Sequence, residues 1–181
     1  LPLLFLSMKT TAKNLANQVT AFLPSTLKET LKVRALGMFK IPVLFFLSPS
    51  VLELNDYRCV VKIPLGYRSK NHLGSMYFGA LAAGADLAGG LIGWKISDEF
   101  VAKTKKKKIN LIFKDFKAEF LKRAEGDVHF TCEEGQAIRE LVEKVALSGE
   151  RAQIPVNITA TVPSKLGDEP VARFVLTLSM K

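Results

Sequence analysis

Asp86 is the residue of this chain whose surroundings most demand a chemical explanation. It stands in MYFGALAAGADLAGGLIGWKI (76–96), where only Asp86 and Lys95 are charged. Small residues fall on every side of it: Gly79, Ala80, Ala82, Ala83, Gly84, Ala85, Ala88, Gly89 and Gly90. A carboxylate in such a setting is hydrogen-bonded, ion-paired, shifted in pKa, or functional as a base or nucleophile. The structural alternative is a cap or a buried pair. Asn71 and His72 lie upstream in a turn-rich loop. Asn71 is either a polar group of the site or the pivot of an Asx-turn. His72 is either an acid or base or an exposed loop residue. The free N–H groups where a helix starts, near Phe78 and Gly79, can hold developing negative charge with the help of the helix dipole. Phe78 and Asp86 are eight residues apart, about 12 Å along a helix axis. One chain cannot easily bring both to a single carbonyl, whereas two antiparallel helices across a dimer interface can.

The elements that must position these groups follow from periodicity. An all-round apolar segment reads as a buried helix, expected from about Ser75 to Lys95. Glycines in a helix interior each cost about 1 kcal/mol relative to alanine, so their number implies close packing against the backbone. A membrane span is disfavoured by Asp86 at its centre and by five glycines. Upstream, Met8–Phe22 places Ala12, Leu15, Ala16, Val19 and Phe22 on one helical face. Thr26 and Glu29 form a capping box for a second helix carrying Leu27, Leu31, Ala35, Met38 and Phe39, closed by Pro42. The following VLFFLSPSVL is a buried connector or a surface to be covered. Lys9, Lys13, Lys28, Lys32, Arg34 and Lys40 would suit a membrane surface, but packing of these helices on the main body is favoured.

From Tyr57 the period becomes two, with Tyr57, Cys59, Val61, Ile63 and Leu65 on the buried face. After the central helix, Lys103, Lys105, Lys106, Lys107 and Lys108 form either a solvated loop or a phosphate-attracting rim. Ile109–Lys122 is long for a strand, and its apolar phase switches near Lys114 and Asp115, which predicts a bulge. Glu125-Gly126-Asp127 reads as a hairpin turn into a strand over Asp127–Glu133, whose His129 is read as structural. A helix over Gln136–Leu147, a lid or connector, presents Ile138, Leu141, Val142 and Val145. Two closing strands carry Ile154 to Val162 and Ala172 to Met180. This order predicts an α+β domain in which a mostly antiparallel sheet wraps one helix. Its five expected strands leave edges for a second subunit to cover.

At 181 residues and 48% hydrophobic content, one domain with a proper core is expected. The net charge of +9 favours anionic partners. Nucleic acid is the least supported of these, because the basic residues lack an aromatic stacking platform. Cys59 and Cys132 have no metal-ligand spacing and read as reduced, near-core residues of a cytoplasmic protein. LPLLFLS at the start lacks the basic region and cleavage site of a secretory signal, and Met8 is an alternative start.

The run Asn71, Gly74, Ser75, Tyr77, Gly79 and Asp86 resembles the loop-helix signature of hotdog-fold acyl-CoA thioesterases of the phenylacetic-acid-degradation type and related thioesterase-like domains. The match covers Asn71 to Asp86, and the strand order from about Val51 to Lys181 is compatible with that fold. Two positions depart from it: Tyr77 stands where the family commonly has His, and Phe78 where it has the first Gly of a pair. With the N-terminal helices read as an extension over 1–50 packed on the main body, the resemblance implies a hotdog domain over 51–181 that acts as a homodimer or higher oligomer. Asp86 and Asn71 are then the catalytic candidates, with Asn71 orienting water or the carbonyl. His72, Gly74, Ser75, Tyr77, Phe78 and Gly79 are the substrate-binding candidates. The substrate is the thioester of CoA or of an acyl carrier protein, with no metal and no redox cofactor. The rival reading is a non-catalytic acyl-ligand or lipid-binding module, favoured if Asp86 is ion-paired or Phe78 blocks the helix start. A dehydratase is a third reading if His72 points inward.

Overall fold

The computed structural model describes residues 23–105 and 108–181. The expected Met8–Phe22 helix, with its Lys9 and Lys13, lies outside the described residues, as do Lys106 and Lys107 of the lysine cluster. The chain forms α1 (Ser25–Phe39), α2 (Pro42–Leu47), β1 (Ser50–Leu54), β2 (Cys59–Ile63), α3 (Phe78–Thr104) and β3 (Leu111–Phe120). It continues with β4 (Val128–Cys132), α4 (Gly135–Ser148), β5 (Ala152–Thr161), α5 (Pro163–Leu166) and β6 (Pro170–Met180). The strands make one antiparallel sheet in the order β1-β2-β4-β5-β6-β3. That sheet wraps α3, which packs against β2, β3, β4, β5 and β6. This is the hotdog arrangement, an α+β fold as expected.

The period-two segments place most of their inner residues as the sequence predicts, except that Tyr57 is exposed because β2 begins only at Cys59. Val61, Ile63, Val128, Phe130, Ala160, Phe174, Leu176 and Leu178 are all buried. In β3 the register against β6 shifts between Phe113 and Phe116, the expected bulge. The stripe of α4 (Ile138, Leu141, Val142, Val145) is buried, so this helix is a packed connector rather than a lid. The close approach implied by the glycines of α3 is real. A Cβ on Gly84 would lie 2.3 Å from the Phe130 ring, and one on Gly93 2.7 Å from Leu111.

Several expectations are corrected. Among the described residues the sheet has six strands, because β1 forms directly after Pro49. Glu125-Gly126-Asp127 does not close a hairpin: β3 pairs with β6, while β4 lies between β2 and β5. The central helix starts at Phe78 and runs on through Ser97 and Asp98 to Thr104, since no glycine or proline stops it after Gly93. The capping box at Thr26 and Glu29 is not made; Leu27 and Lys28 N–H donate to Pro24 O, and Glu29 pairs with Lys32 at 2.7 Å. The face of α1 is also reversed. Leu27, Leu31, Met38 and Phe39 are exposed, and Thr30, Val33 and Gly37 are buried. The cause is β1, whose Val51 N–H donates to Thr30 Oγ1 at 2.8 Å, together with the close contact of Gly37 with α2.

Cys59 and Cys132 face each other in register on β2 and β4, fully buried and unbridged. Burial pushes both thiols up, Cys132 to about 11 and Cys59 further. Because the thiolate is the reactive form, neither should be labelled by a small thiol reagent in the native protein, and both should be labelled together on unfolding in urea. Prompt labelling of either before the unfolding transition would contradict this packing.

Candidate active site

The loop before α3 is held by its own hydrogen bonds. Ser69 Oγ donates to Pro64 O (2.6 Å) and accepts from Gly66 N–H (3.0 Å), while Tyr77 N–H donates to Ser69 O (2.7 Å) and Met76 N–H to Ala124 O (2.8 Å). Within it, Asn71 Oδ1 accepts from the N–H groups of Leu73 (2.9 Å) and Ser75 (3.2 Å), and Asn71 Nδ2 donates to Ser75 Oγ (3.1 Å). This is the Asx-turn of the structural alternative. Ser75 is buried beside it. Gly74 has φ +80°, a left-handed conformation that non-glycine residues rarely adopt. His72 and Leu73 are exposed at the tip.

Tyr77 caps α3 through its backbone, with its O accepting from Ala80 N–H (2.9 Å) and Leu81 N–H (3.1 Å). The N–H groups of Phe78 and Gly79 precede these bonds and find no backbone acceptor among the described residues. The Phe78 ring is 60% exposed and leans on Tyr77, with ring centroids 4.7 Å apart.

Asp86 lies eight residues further along the same helix, and here the expectation of an all-round buried helix is corrected. Phe78, Ala82, Asp86, Gly90 and Trp94, spaced by four, form a stripe that is exposed or only partly covered. Asp86 makes no hydrogen bond or ion pair among the described residues. Desolvation by the apolar surroundings nonetheless raises its carboxyl above the usual range. Lys95, the other charge of the segment, is the opposite case. It pairs with Asp56 at 2.6 Å and Glu99 at 2.7 Å, which ties α3 to the β1–β2 connection.

Beside Asp86 opens a groove of about 740 Å³, walled by α3, by the start of β3 and by the α1–α2 hairpin. Leu36, Ile41, Leu91, Trp94 and Phe113 line it, and Asp86, Lys108 and Asn110 are its polar side chains. This volume is typical of small-molecule sites. Trp94 and the hairpin residues were not foreseen as part of the site; the signal for Trp94 was its place two turns from Asp86 on one helical face.

A second hollow of about 490 Å³, on the other sheet face, is lined by Arg58, His129, Glu133 and Asp168 among others. Arg58 is paired there with Glu53 (2.8 Å) and Glu133 (3.2 Å). Desolvation, then Lys62, lowers the His129 pKa, in keeping with a structural role. This face has no part near Asp86. Among the described residues, no group of three His, Cys, Asp or Glu side chains is placed to hold a metal ion. No described helix is long and apolar enough to cross a membrane.

Comparison with solved structures gives the fold independently. A Pseudomonas aeruginosa protein described as a probable thioesterase is 24% identical, with TM-score 0.64, over 88% of this chain and 96% of its own. A Haemophilus influenzae thioesterase is 14% identical, with TM-score 0.55, over 76% of this chain and 81% of its own. A variant of another P. aeruginosa thioesterase is 14% identical, with TM-score 0.58, over 83% and 92%. No curated protein matches the chain. The profile of a domain of unknown function, DUF4442, matches residues 30–179, from within α1 almost to the end of β6. The chain therefore belongs to the DUF4442 family, and its fold is the one these solved structures share.

Proposed function

We propose that this protein hydrolyses acyl thioesters, with Asp86 as the general base and the N–H groups of Phe78 and Gly79 from a second copy as the oxyanion site. The observation that carries this reading is the unpaired Asp86, its carboxyl pushed up by apolar surroundings, lining a largely apolar groove. Asp86 takes a proton from water as the oxygen attacks the thioester carbonyl. The tetrahedral oxyanion is held by the two N–H groups. On its collapse the C–S bond breaks, and the leaving thiolate takes the proton back. These groups suffice without a metal or redox cofactor.

Two observations support a dimer in this reading. Asp86 and the helix start lie about 12 Å apart on one rigid helix, and β3 is a ten-residue edge strand with Ile112, Phe116 and Phe120 exposed. Long apolar edges are normally covered, and an antiparallel second copy covers this one while bringing its helix start to Asp86. Lys103, Lys105 and Lys108 would then draw the phosphates of CoA or an acidic carrier protein toward the groove. In this reading residues 51–181 are the catalytic domain, residues 1–50 an extension of it, and the reduced thiols fit a cytoplasmic setting.

One observation favours a non-catalytic acyl-binding module instead: the Asn71 side chain is committed to its own turn and so is not free to orient water. Thiol release from a panel of acyl-CoAs, measured alongside molar mass by light scattering, decides between the two. Turnover by a dimer or larger oligomer is expected. Tight acyl-CoA binding without thiol release would establish the module, and turnover by a monomer would overturn the composite site.

A further inference from the structure

The groove beside Asp86 continues where the hydrolytic chemistry does not need it. From Asp86 it passes Gly90 to Trp94, two helical turns or about 12 Å further on. Gly90 is part of its wall. Among the described residues a Cβ there would meet only Phe113, at an ordinary 3.6 Å, so packing against them does not require the glycine. This separates Gly90 from Gly84 and Gly93, where a Cβ would collide with the core. What the missing side chain leaves is open space in line with Asp86.

The far wall is rigid. Gly37 lets α1 approach α2 so closely that a Cβ would lie 2.5 Å from Phe45 N. Lys40 and Ile41 N–H both donate to Leu36 O, at 2.8 and 3.1 Å. Thr30 and Arg34 bind the hairpin to Val51 N–H and Pro49 O. Leu36 and Ile41, which line the groove, are therefore held in place.

We propose that the groove from Asp86 past Gly90 to Trp94 holds the acyl chain, and that Leu36 and Ile41 of the α1–α2 hairpin set the longest chain it accepts. This rests on the acyl-thioester reading for its carbonyl end, but the binding of the chain can be read separately. Trp94 is the only tryptophan of the sequence, so its emission reports occupancy of the groove whether or not hydrolysis occurs.

The test titrates the full chain with butanoyl-, octanoyl- and dodecanoyl-CoA, CoA alone and free octanoate, recording Trp94 emission and thiol release for the parent, Gly90→Leu and Ile41→Ala. Octanoyl-CoA is expected to shift the emission, while butanoyl-CoA and CoA alone leave it unchanged. A shift with free octanoate would make the chain alone the recognised element; a shift confined to octanoyl-CoA would add the CoA portion to it. Gly90→Leu should lower the octanoyl-to-butanoyl ratio about tenfold or more, the scale on which apolar pockets discriminate chain length. Ile41→Ala should move the preference toward dodecanoyl-CoA. If Trp94 responds by chain length but no substrate releases thiol, the hydrolase falls and the chain site stands. If thiol is released while Trp94 stays silent and a folded Gly90→Leu keeps the parent ratio, the chain site falls alone. If neither signal appears, both fall.

Discussion

Asp86→Asn is expected to lower kcat for acyl-CoA hydrolysis by about a hundredfold or more, the scale of a lost general base, while the oligomer and acyl-CoA binding persist. The amide keeps the shape and polarity of the side chain but cannot accept the water proton. Asp86 has no partner among the described residues, so the substitution breaks no ion pair and leaves no other charge stranded. Stability should move the other way. The fold raises the Asp86 pKa by desolvation, so the folded protein favours the protonated acid more than the unfolded chain does. Stability is therefore lost as pH rises from the ordinary carboxylate value through the raised one, and the loss is complete above it. Asp86→Asn removes that loss, and its Tm should exceed the parent's at neutral pH and converge with it in acid. In the parent, kcat/KM should rise with pH through the same raised pKa, because only the carboxylate is a base. An unchanged kcat in Asp86→Asn, or a Tm below the parent's at neutral pH, would sink the assignment.

How much of this could be read in the sequence varied with the contrast between side chains. The inner faces of β2, β4, β5 and β6 were legible because large apolar residues alternate with polar ones, and a period of two leaves only two faces to choose between. The β3 bulge was legible because Phe113 and Phe116 break that period. Asp86 was legible as a lone charge in an apolar run, but the face it occupies was not. Around Gly79, Ala82, Ala83 and Gly90 a side chain is a methyl group or nothing, so the open stripe has almost the same composition as the buried ones. On α1 the contrast misled. Leu27, Leu31 and Met38 made the evident stripe, yet the partner element took Thr30 for a hydrogen bond and Gly37 for close contact, and the leucines were left outside. β1 escaped notice because its five residues follow a proline and pair only through β2. The walls of the groove come from α1, α2, α3 and the start of β3, and no local pattern announces a contact between elements so far apart in the chain.

The largest loss of stability is expected from Phe130→Ala, by about 3–5 kcal/mol, which is about a fifth or more of what an ordinary domain has in total. Phe130 is fully buried on β4, its ring 6.4 Å from that of Phe174 and lying directly against the backbone of α3 at Gly84. Removing it opens a cavity between the sheet and the central helix. Gly84→Ala attacks the same contact from the other side. Alanine gains about 1 kcal/mol of helix propensity over glycine, but its Cβ would lie 2.3 Å from a ring that has no room to retreat. Overpacking of this kind costs about 1–3 kcal/mol, so a net destabilisation is expected. The double variant tests whether this contact fixes the helix on the sheet. With the ring gone the added methyl has space and occupies part of the cavity, so the double should cost less than the sum of the singles by about 0.5–3 kcal/mol. Urea denaturation of the four proteins measures this. Additive losses would mean that α3 and β4 adjust independently, and that the position of the Asp86 stripe does not depend on this contact.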